Sequence, residues 1–116
     1  MNTVTITGRL GRDPKLITDT DNDRAHFTLA VDNRNSEHPD WIPVVVFGTY
    51  AKHIAKHVGK GHLVGVEGRL ATARGADANG EAYTYINVIA DRVDFLARPK
   101  ATSGQPADYD PAEEPF

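Results

Sequence analysis

Two aromatic side chains in the middle of the chain could bind planar ligands. Trp41 and Phe47 are six residues apart in an almost continuous apolar run. An even separation on a β-strand places both side chains on the same face. Rings on one face can stack on the rings of a ligand, or they can be ordinary core residues. Periodicity alone favours the core, because the run is strongly apolar.

Positive side chains that could contact an anionic polymer lie on both sides of this run. Each of them is also compatible with a solvated surface charge. Arg34 lies in the loop before Trp41, and Arg74 lies near a strand tip, where flexible arms could wrap a long ligand. The candidates are Arg9, Arg12, Lys15, Arg34, Lys60, Arg69 and Arg74.

The other clusters of polar residues give weaker signals. His53 and His57 are four residues apart on a predicted helix, with His62 nearby, so they could share a metal ion. A solvated helix face is favoured, because no adjacent Glu completes a known pattern. The alternating Asp in residues 19–23 lack the glycine and distal Glu of a calcium loop. We predict no enzyme, metal or cofactor site, since no nucleophile–base set or phosphate loop is present.

The charges segregate along the chain. All 13 Lys and Arg lie within residues 1–100, together with 12 of the 16 Asp and Glu, so this part carries a net charge of +1. The remaining four acids, Asp108, Asp110, Glu113 and Glu114, give the end of the chain −4. A body this weakly basic does not by itself identify a nucleic-acid binder.

Length and composition predict one small domain in a reducing compartment. A chain of 116 residues fits one domain plus a tail. It contains no cysteine, which suits such a compartment, and no run approaching the ~18 apolar residues of a membrane helix. Residues 1–6 lack the basic start of a signal peptide. We therefore expect a cytoplasmic protein.

Hydrophobic periodicity predicts five strands and one helix. Alternating residues indicate strands over 3–7, 27–31, 64–70 and 85–90, and the last of these continues to residue 96. The apolar run 41–47 predicts one more strand, buried on both faces for part of its length. Residues 11–24 are interpreted as a loop. Apolar residues every four positions predict a helix over 50–58. Gly68 inside its strand suggests a bulge, and Asn79-Gly80 predicts a hairpin turn.

One helix between the third and fourth strands fits an all-β, five-stranded OB barrel. Another small barrel and an open α+β sheet remain alternatives at this point, because strand periodicity cannot separate them. Residues 97–116 contain four prolines, one glycine and four acids, and so predict a disordered tail.

Four segments resemble those of bacterial and phage single-stranded DNA-binding proteins. Their order and spacing are similar to the family's, and the resemblance covers about residues 2–96. The segments are residues 8–14, 27–31, 41–48 and 60–70. The ending Glu113-Glu114-Pro115-Phe116 also resembles the family's acidic Pro-Phe terminus.

The resemblance implies a single-stranded DNA-binding OB domain over residues 1–96, usually a homotetramer, that acts in replication, recombination and repair near the nucleoid. Trp41 and Phe47 match family positions where aromatics stack on bases. The cations Arg9, Arg12, Arg34, Lys60, Arg69 and Arg74 are then candidate phosphate contacts. The tail residues Asp108, Asp110, Glu113, Glu114, Pro115 and Phe116 would bind partner proteins of DNA replication and repair.

This chain also departs from the family pattern. It lacks the aromatic residues that many members carry near Asn35 and Gly75, and Pro43 stands where a basic residue is common. Tyr83 and Tyr85 could supply ring faces instead, or could belong to the barrel surface or core. These departures leave a second hypothesis open: a protein-interaction adaptor on an OB scaffold with weakened DNA binding.

Overall fold

The computed structural model describes residues 1–18 and 22–99. They form six strands and one helix in chain order. The elements are β1 (Val4–Leu10), β2 (Lys15–Ile17), β3 (Arg24–Val31), β4 (Asp40–Phe47), α1 (Thr49–His57), β5 (Leu63–Ala76) and β6 (Ala82–Ala97). Within this part of the chain, no helix has the length and apolar character needed to cross a lipid bilayer.

Five of the strands close into a ring. The sheet order is β1-β5-β6-β4-β3-β2, and β1 also pairs with β3, which joins the two sides of the sheet. All of these pairings are antiparallel except that between β4 and β6, which is parallel. The short β2 extends the ring along the edge of β3. With α1 between the third and fourth strands of the ring, the predicted OB fold is confirmed.

The barrel interior is filled by one face of each long strand. On β3 the inward residues Ala25, Phe27 and Leu29 are buried, whereas Arg24, His26 and Thr28 point outward; Ala30 is buried as well. The apolar run on β4 is buried on both faces for part of its length, as predicted, because Val44, Val45 and Val46 are all buried.

The helix closes one end of the barrel. Ala51, Ile54 and Val58 are buried at intervals of three and four residues, so one apolar stripe faces the core. The Tyr50 hydroxyl donates a 2.7 Å hydrogen bond to the Val93 carbonyl and accepts one of 3.1 Å from its N–H. This pair of hydrogen bonds fixes α1 against β6.

A glycine permits the close approach of β5 and β6. A β-carbon at Gly68 would lie 2.0 Å from the Ile89 carbonyl oxygen, so any side chain there would collide with backbone. The register between the two strands shifts between Glu67 and Gly68, which confirms the predicted irregularity. The strands beyond this point form a long hairpin whose turn has Gly80 at φ +80°, as the Asn79-Gly80 signal indicates.

The sequence-based boundaries were wrong at several places. Strand β5 continues to Ala76 and β6 begins at Ala82, whereas the predicted strands ended at residue 70 and began at residue 85. Residues 11–24 are not entirely loop, because β2 pairs with β3 over Lys15–Ile17. The second long strand begins at Arg24 instead of Phe27, since residues 24–26 already pair with β4. Most of the predicted tail, from residue 100 onward, lies outside the described residues, as do the three positions 19–21.

Candidate nucleic-acid interface

Strand β4 presents its two aromatic rings to solvent. Trp41 is 42% exposed and Phe47 46% exposed, so neither is a core residue. Both lie on the outer face of the barrel, because the inner face of β4 is occupied by Val44 and Val46. The interpretation from periodicity alone, which favoured the core, is therefore wrong for both rings.

The β6 strand adds two tyrosines on the same outer face. Tyr83 is 49% and Tyr85 38% exposed, and their ring centroids are 5.9 Å apart at an interplanar angle of 41°. The Tyr83 ring lies across Gly75 of β5, where a β-carbon would be 2.7 Å from the ring. Of the possibilities open for these tyrosines, burial in the core is excluded.

Trp41 and Tyr85 line one groove of about 720 Å³, open to solvent. We call this the β4 groove. Apolar and aromatic groups form its floor, and three cations contribute to its wall. The lining residues are Gly11, Arg12, Asp13, Lys15, His26, Phe27, Thr28, Trp41, Pro43, Val44, Val45, Lys60, Tyr85 and Asn87. Ring faces beside cations suit a ligand with planar bases and a phosphate backbone.

Two loops that carry groove cations are joined by one hydrogen bond to a side chain and two between backbone groups. The Asp13 carboxylate accepts a 2.8 Å hydrogen bond from the Lys60 N–H. The Gly61 N–H donates to the Leu10 carbonyl at 2.9 Å, and the Leu10 N–H donates to the His62 carbonyl at 3.1 Å. The loop after β1 and the loop after α1 are thus held together, which places Arg12 and Lys60 on the same groove.

The outer face of β3 contributes polar residues that the sequence analysis missed. Along this strand, Thr28 is opposite Pro43, His26 opposite Val45 and Arg24 opposite Phe47. Lys15 of β2 flanks His26 on the other side. The predicted loop ended at Arg24 and the predicted strand began at Phe27, so His26 was assigned to neither. The alternation of Arg24, Ala25, His26 and Phe27 was the available signal.

His26 has an unusual environment for a groove residue. Its Nε2 is buried and has no hydrogen-bond partner among residues 1–18 and 22–99. Burial lowers the pKa of His26 below its ordinary value, and the positive charges of Arg24 and Lys15 lower it further. The lowered pKa favours the neutral imidazole at pH 7 in the free protein.

The remaining predicted cations are not all in the groove. Arg69 is exposed and pairs in register with Ile89, which in turn pairs with Val45, so it lies on the same face of the sheet as Trp41. Arg74 lies five positions from Arg69 in an uninterrupted register and thus points to the opposite face.

Arg9 and Arg34 have other surroundings. The Arg9 guanidinium donates a 2.9 Å hydrogen bond to the Gly61 carbonyl. This bond links β1 to the loop after α1. Arg34 is exposed in the loop between β3 and β4. That loop is ordered by Asn33, whose side chain accepts a hydrogen bond from the Asn35 N–H and donates one to Asp40. Neither arginine lines the β4 groove, and their role in binding stays a prediction.

The histidines near α1 form a separate surface. The His53 and His57 rings are 4.5 Å apart at centroid distance, and both line a second cavity of about 590 Å³ with His62 and Phe95. Among the described residues, no group of three His, Cys, Asp or Glu is arranged to hold a metal ion. The predicted partner-binding residues of the tail lie outside the described residues.

A closed OB barrel with ring faces and cations in one groove is the architecture of an oligonucleotide-binding module. The model of the "Single-strand binding protein family" matches residues 1–96. The chain therefore belongs to the single-strand binding protein family.

Several bacterial proteins are similar over most of their length. The Single-stranded DNA-binding protein 1 of Clostridium acetobutylicum is 38% identical over 107 residues, covering 86% of this chain and 97% of the relative. The Single-stranded DNA-binding protein 3 of the same organism is 41% identical over 103 residues, covering 83% and 71%. The Single-stranded DNA-binding protein 1 of Staphylococcus aureus is 35% identical over 114 residues, covering 93% and 72%.

Proposed function

We propose that this protein binds single-stranded DNA in the β4 groove with little base preference. The observation that carries the proposal is the pair of exposed rings, Trp41 and Tyr85, in a groove walled by Arg12, Lys15 and Lys60. Every base offers a ring face, so stacking is tolerant of sequence. The cations would contact phosphates, and Phe47 and Arg69 on the same face would extend the path beyond the groove.

A mobility-shift experiment tests this function and separates it from the adaptor hypothesis. The protein should shift oligonucleotides of poly-dT and of mixed sequence at similar protein concentrations. It should bind a duplex of the same length more weakly, because the bases of a duplex are not available for stacking. An adaptor with weakened DNA binding would shift none of them at these protein concentrations.

The assembly we propose is the homotetramer that the family resemblance implies. The support is a pair of exposed apolar side chains on the face of the β5–β6 hairpin opposite to Tyr83. Leu70 is 47% and Ile86 59% exposed, and both could be covered by another subunit. Burying such side chains between subunits is favourable. Sedimentation equilibrium of the full chain measures the mass, and a monomer at all concentrations would contradict this part.

We also propose that the acidic tail recruits proteins of DNA replication, recombination and repair. The support is the sequence Glu113-Glu114-Pro115-Phe116 and the separation of its charge from that of the body. In this proposal Phe116 fills an apolar pocket on the partner, and Asp108, Asp110 and the two glutamates contact basic residues around it. The expected location, cytoplasmic and nucleoid-associated, follows from these two binding functions.

A further inference from the structure

His26 lies at the centre of the path between the two exposed rings of β4. Trp41 is in register with Ala30 and Phe47 with Arg24, so the outward side chains of β3 between those points are Thr28 and His26. His26 also lines the β4 groove itself. A strand that runs over the β3 side of β4 between the two rings would therefore pass along this residue.

The imidazole has an unmet hydrogen-bonding group at this point. Its Nε2 is buried without a partner in the described part of the chain, and a buried polar atom without a hydrogen bond is unfavourable. A phosphate oxygen brought into the groove would accept a hydrogen bond from a protonated Nε2. The ring or the groups that cover Nε2 must move for this contact to form.

The charges around His26 favour an anion there. From β2 it faces Lys15, on its own strand Arg24 is two residues away, and β4 offers only apolar Val45 opposite it. The other ionisable groups that line the same groove are Arg12, Asp13 and Lys60 from the loops and the Tyr85 phenol from β6. Asp23, next to Arg24, forms an ion pair of 3.2 Å with Lys52.

We propose that His26 contacts the DNA backbone between Trp41 and Phe47, and that it takes up a proton when the strand binds. This inference rests on the proposed DNA-binding function. In the free protein, burial and the nearby cations favour the neutral imidazole. A phosphate beside it offsets the charges of Lys15 and Arg24 and favours the imidazolium. Binding is then coupled to proton uptake, so DNA affinity increases as the pH falls.

The test compares DNA affinity at two pH values for the wild-type protein and two variants. Binding of the full chain to poly-dT is measured at constant ionic strength at about pH 6 and about pH 8, on either side of the ordinary histidine pKa. His26→Gln keeps a polar side chain but cannot take up the proton. His53→Gln is the matched control, because His53 is exposed on α1 and does not line the β4 groove.

The wild-type protein and His53→Gln should bind on the order of three- to tenfold more tightly at the lower pH. His26→Gln should lose most of this difference. An equal pH dependence in His26→Gln would overturn the assignment while leaving the proposed function intact. Absence of wild-type binding at both pH values would instead contradict the proposed function, and the role of His26 with it.

A second measurement does not depend on the variant folding. The NMR signal of the His26 ring in the wild-type protein, followed against pH, gives its titration midpoint with and without poly-dT. The midpoint should lie below the ordinary value of about 6.5 in the free protein and rise in the complex. A midpoint that stays the same or falls on binding would overturn the proposal.

Discussion

Trp41 and Phe47 project from the same face of β4 at its two ends, about 20 Å apart along the strand at ~3.3 Å per residue. Between them the outer face of the barrel carries Pro43 and Val45, and β3 runs alongside with polar side chains. The two rings are thus separate contact points on one continuous surface. A single extended strand of DNA could reach both.

The first prediction concerns these two rings. Trp41→Ala and Phe47→Ala should each weaken binding to poly-dT by about 1–3 kcal/mol, because each loses a stacking surface. Phe95→Ala is the control, since Phe95 is equally exposed, at 48%, but lies beside His53, away from the β4 groove. Equilibrium binding measures the affinities, and thermal melting reports the fold.

The melting data decide between a binding and a core role. Truncating a core aromatic residue costs roughly 3–5 kcal/mol of folding stability. A loss of that size in Trp41→Ala or Phe47→Ala would contradict the exposed positions described above. Unchanged binding by a well-folded Trp41→Ala would remove Trp41 from the interface.

The second prediction concerns the closure of β5 on β6. Gly68→Ala places a β-carbon against the Ile89 carbonyl, where only backbone movement can relieve the collision. We expect a loss of unfolding free energy of about 1–3 kcal/mol or more. Gly65→Ala is the control on the same strand, because its nearest neighbour is the Leu96 side chain at 3.7 Å. Urea denaturation of both variants measures the difference, and equal stabilities would contradict this closure.

The third prediction concerns the pH dependence of folding stability without DNA. The pKa of His26 is lowered in the folded state, so the unfolded state binds the proton more readily. Stability should therefore fall as the pH drops below about 6.5, the ordinary value for the unfolded chain. The melting temperature of His26→Gln should decrease less than that of the wild type over this range. A larger decrease in the variant would show that the sign is wrong.

The fourth prediction concerns the acidic tail. If the four carboxylates of residues 108–116 compete with DNA phosphates for the cations of the body, deleting these residues should raise DNA affinity at low salt. The gain should shrink at high salt because the competing charges are screened. Replacing Asp108, Asp110, Glu113 and Glu114 by their amides is the control that keeps the chain length. If the deletion raises DNA affinity and the amide replacements do not, the effect comes from the length of the chain and the competition is not electrostatic.

The barrel was largely predictable because its strands are regular. Alternation over residues 27–31 and the apolar run over 41–47 reflect burial on one or both faces, and both strands were found. Strand β2 was missed because three residues are too few to show a period, and because the strand depends on its partner β3. Arg24 and His26 were missed because polar residues at a strand end resemble a loop until pairing is known.

The candidate site was less predictable than the fold. The exposure of Trp41 cannot be inferred from periodicity, because β4 carries apolar residues on both faces and Val45 on the same side is buried. The family resemblance, not the pattern, pointed to its role. The hydrogen bond between Asp13 and Lys60 joins positions 47 residues apart, and no local signal predicts such a contact. Long-range pairing therefore decided which cations share a groove.

The most direct test of DNA binding in the β4 groove is a fluorescence titration of the wild-type protein with poly-dT at several salt concentrations. Trp41 is the only tryptophan in the chain, so its emission reports the β4 groove alone. We predict quenching on binding, with an affinity that falls with rising salt at a logarithmic slope of about −0.7 per phosphate contact. Emission that stays unchanged at saturating poly-dT would contradict stacking on Trp41, and an affinity independent of salt would contradict the role of the surrounding cations.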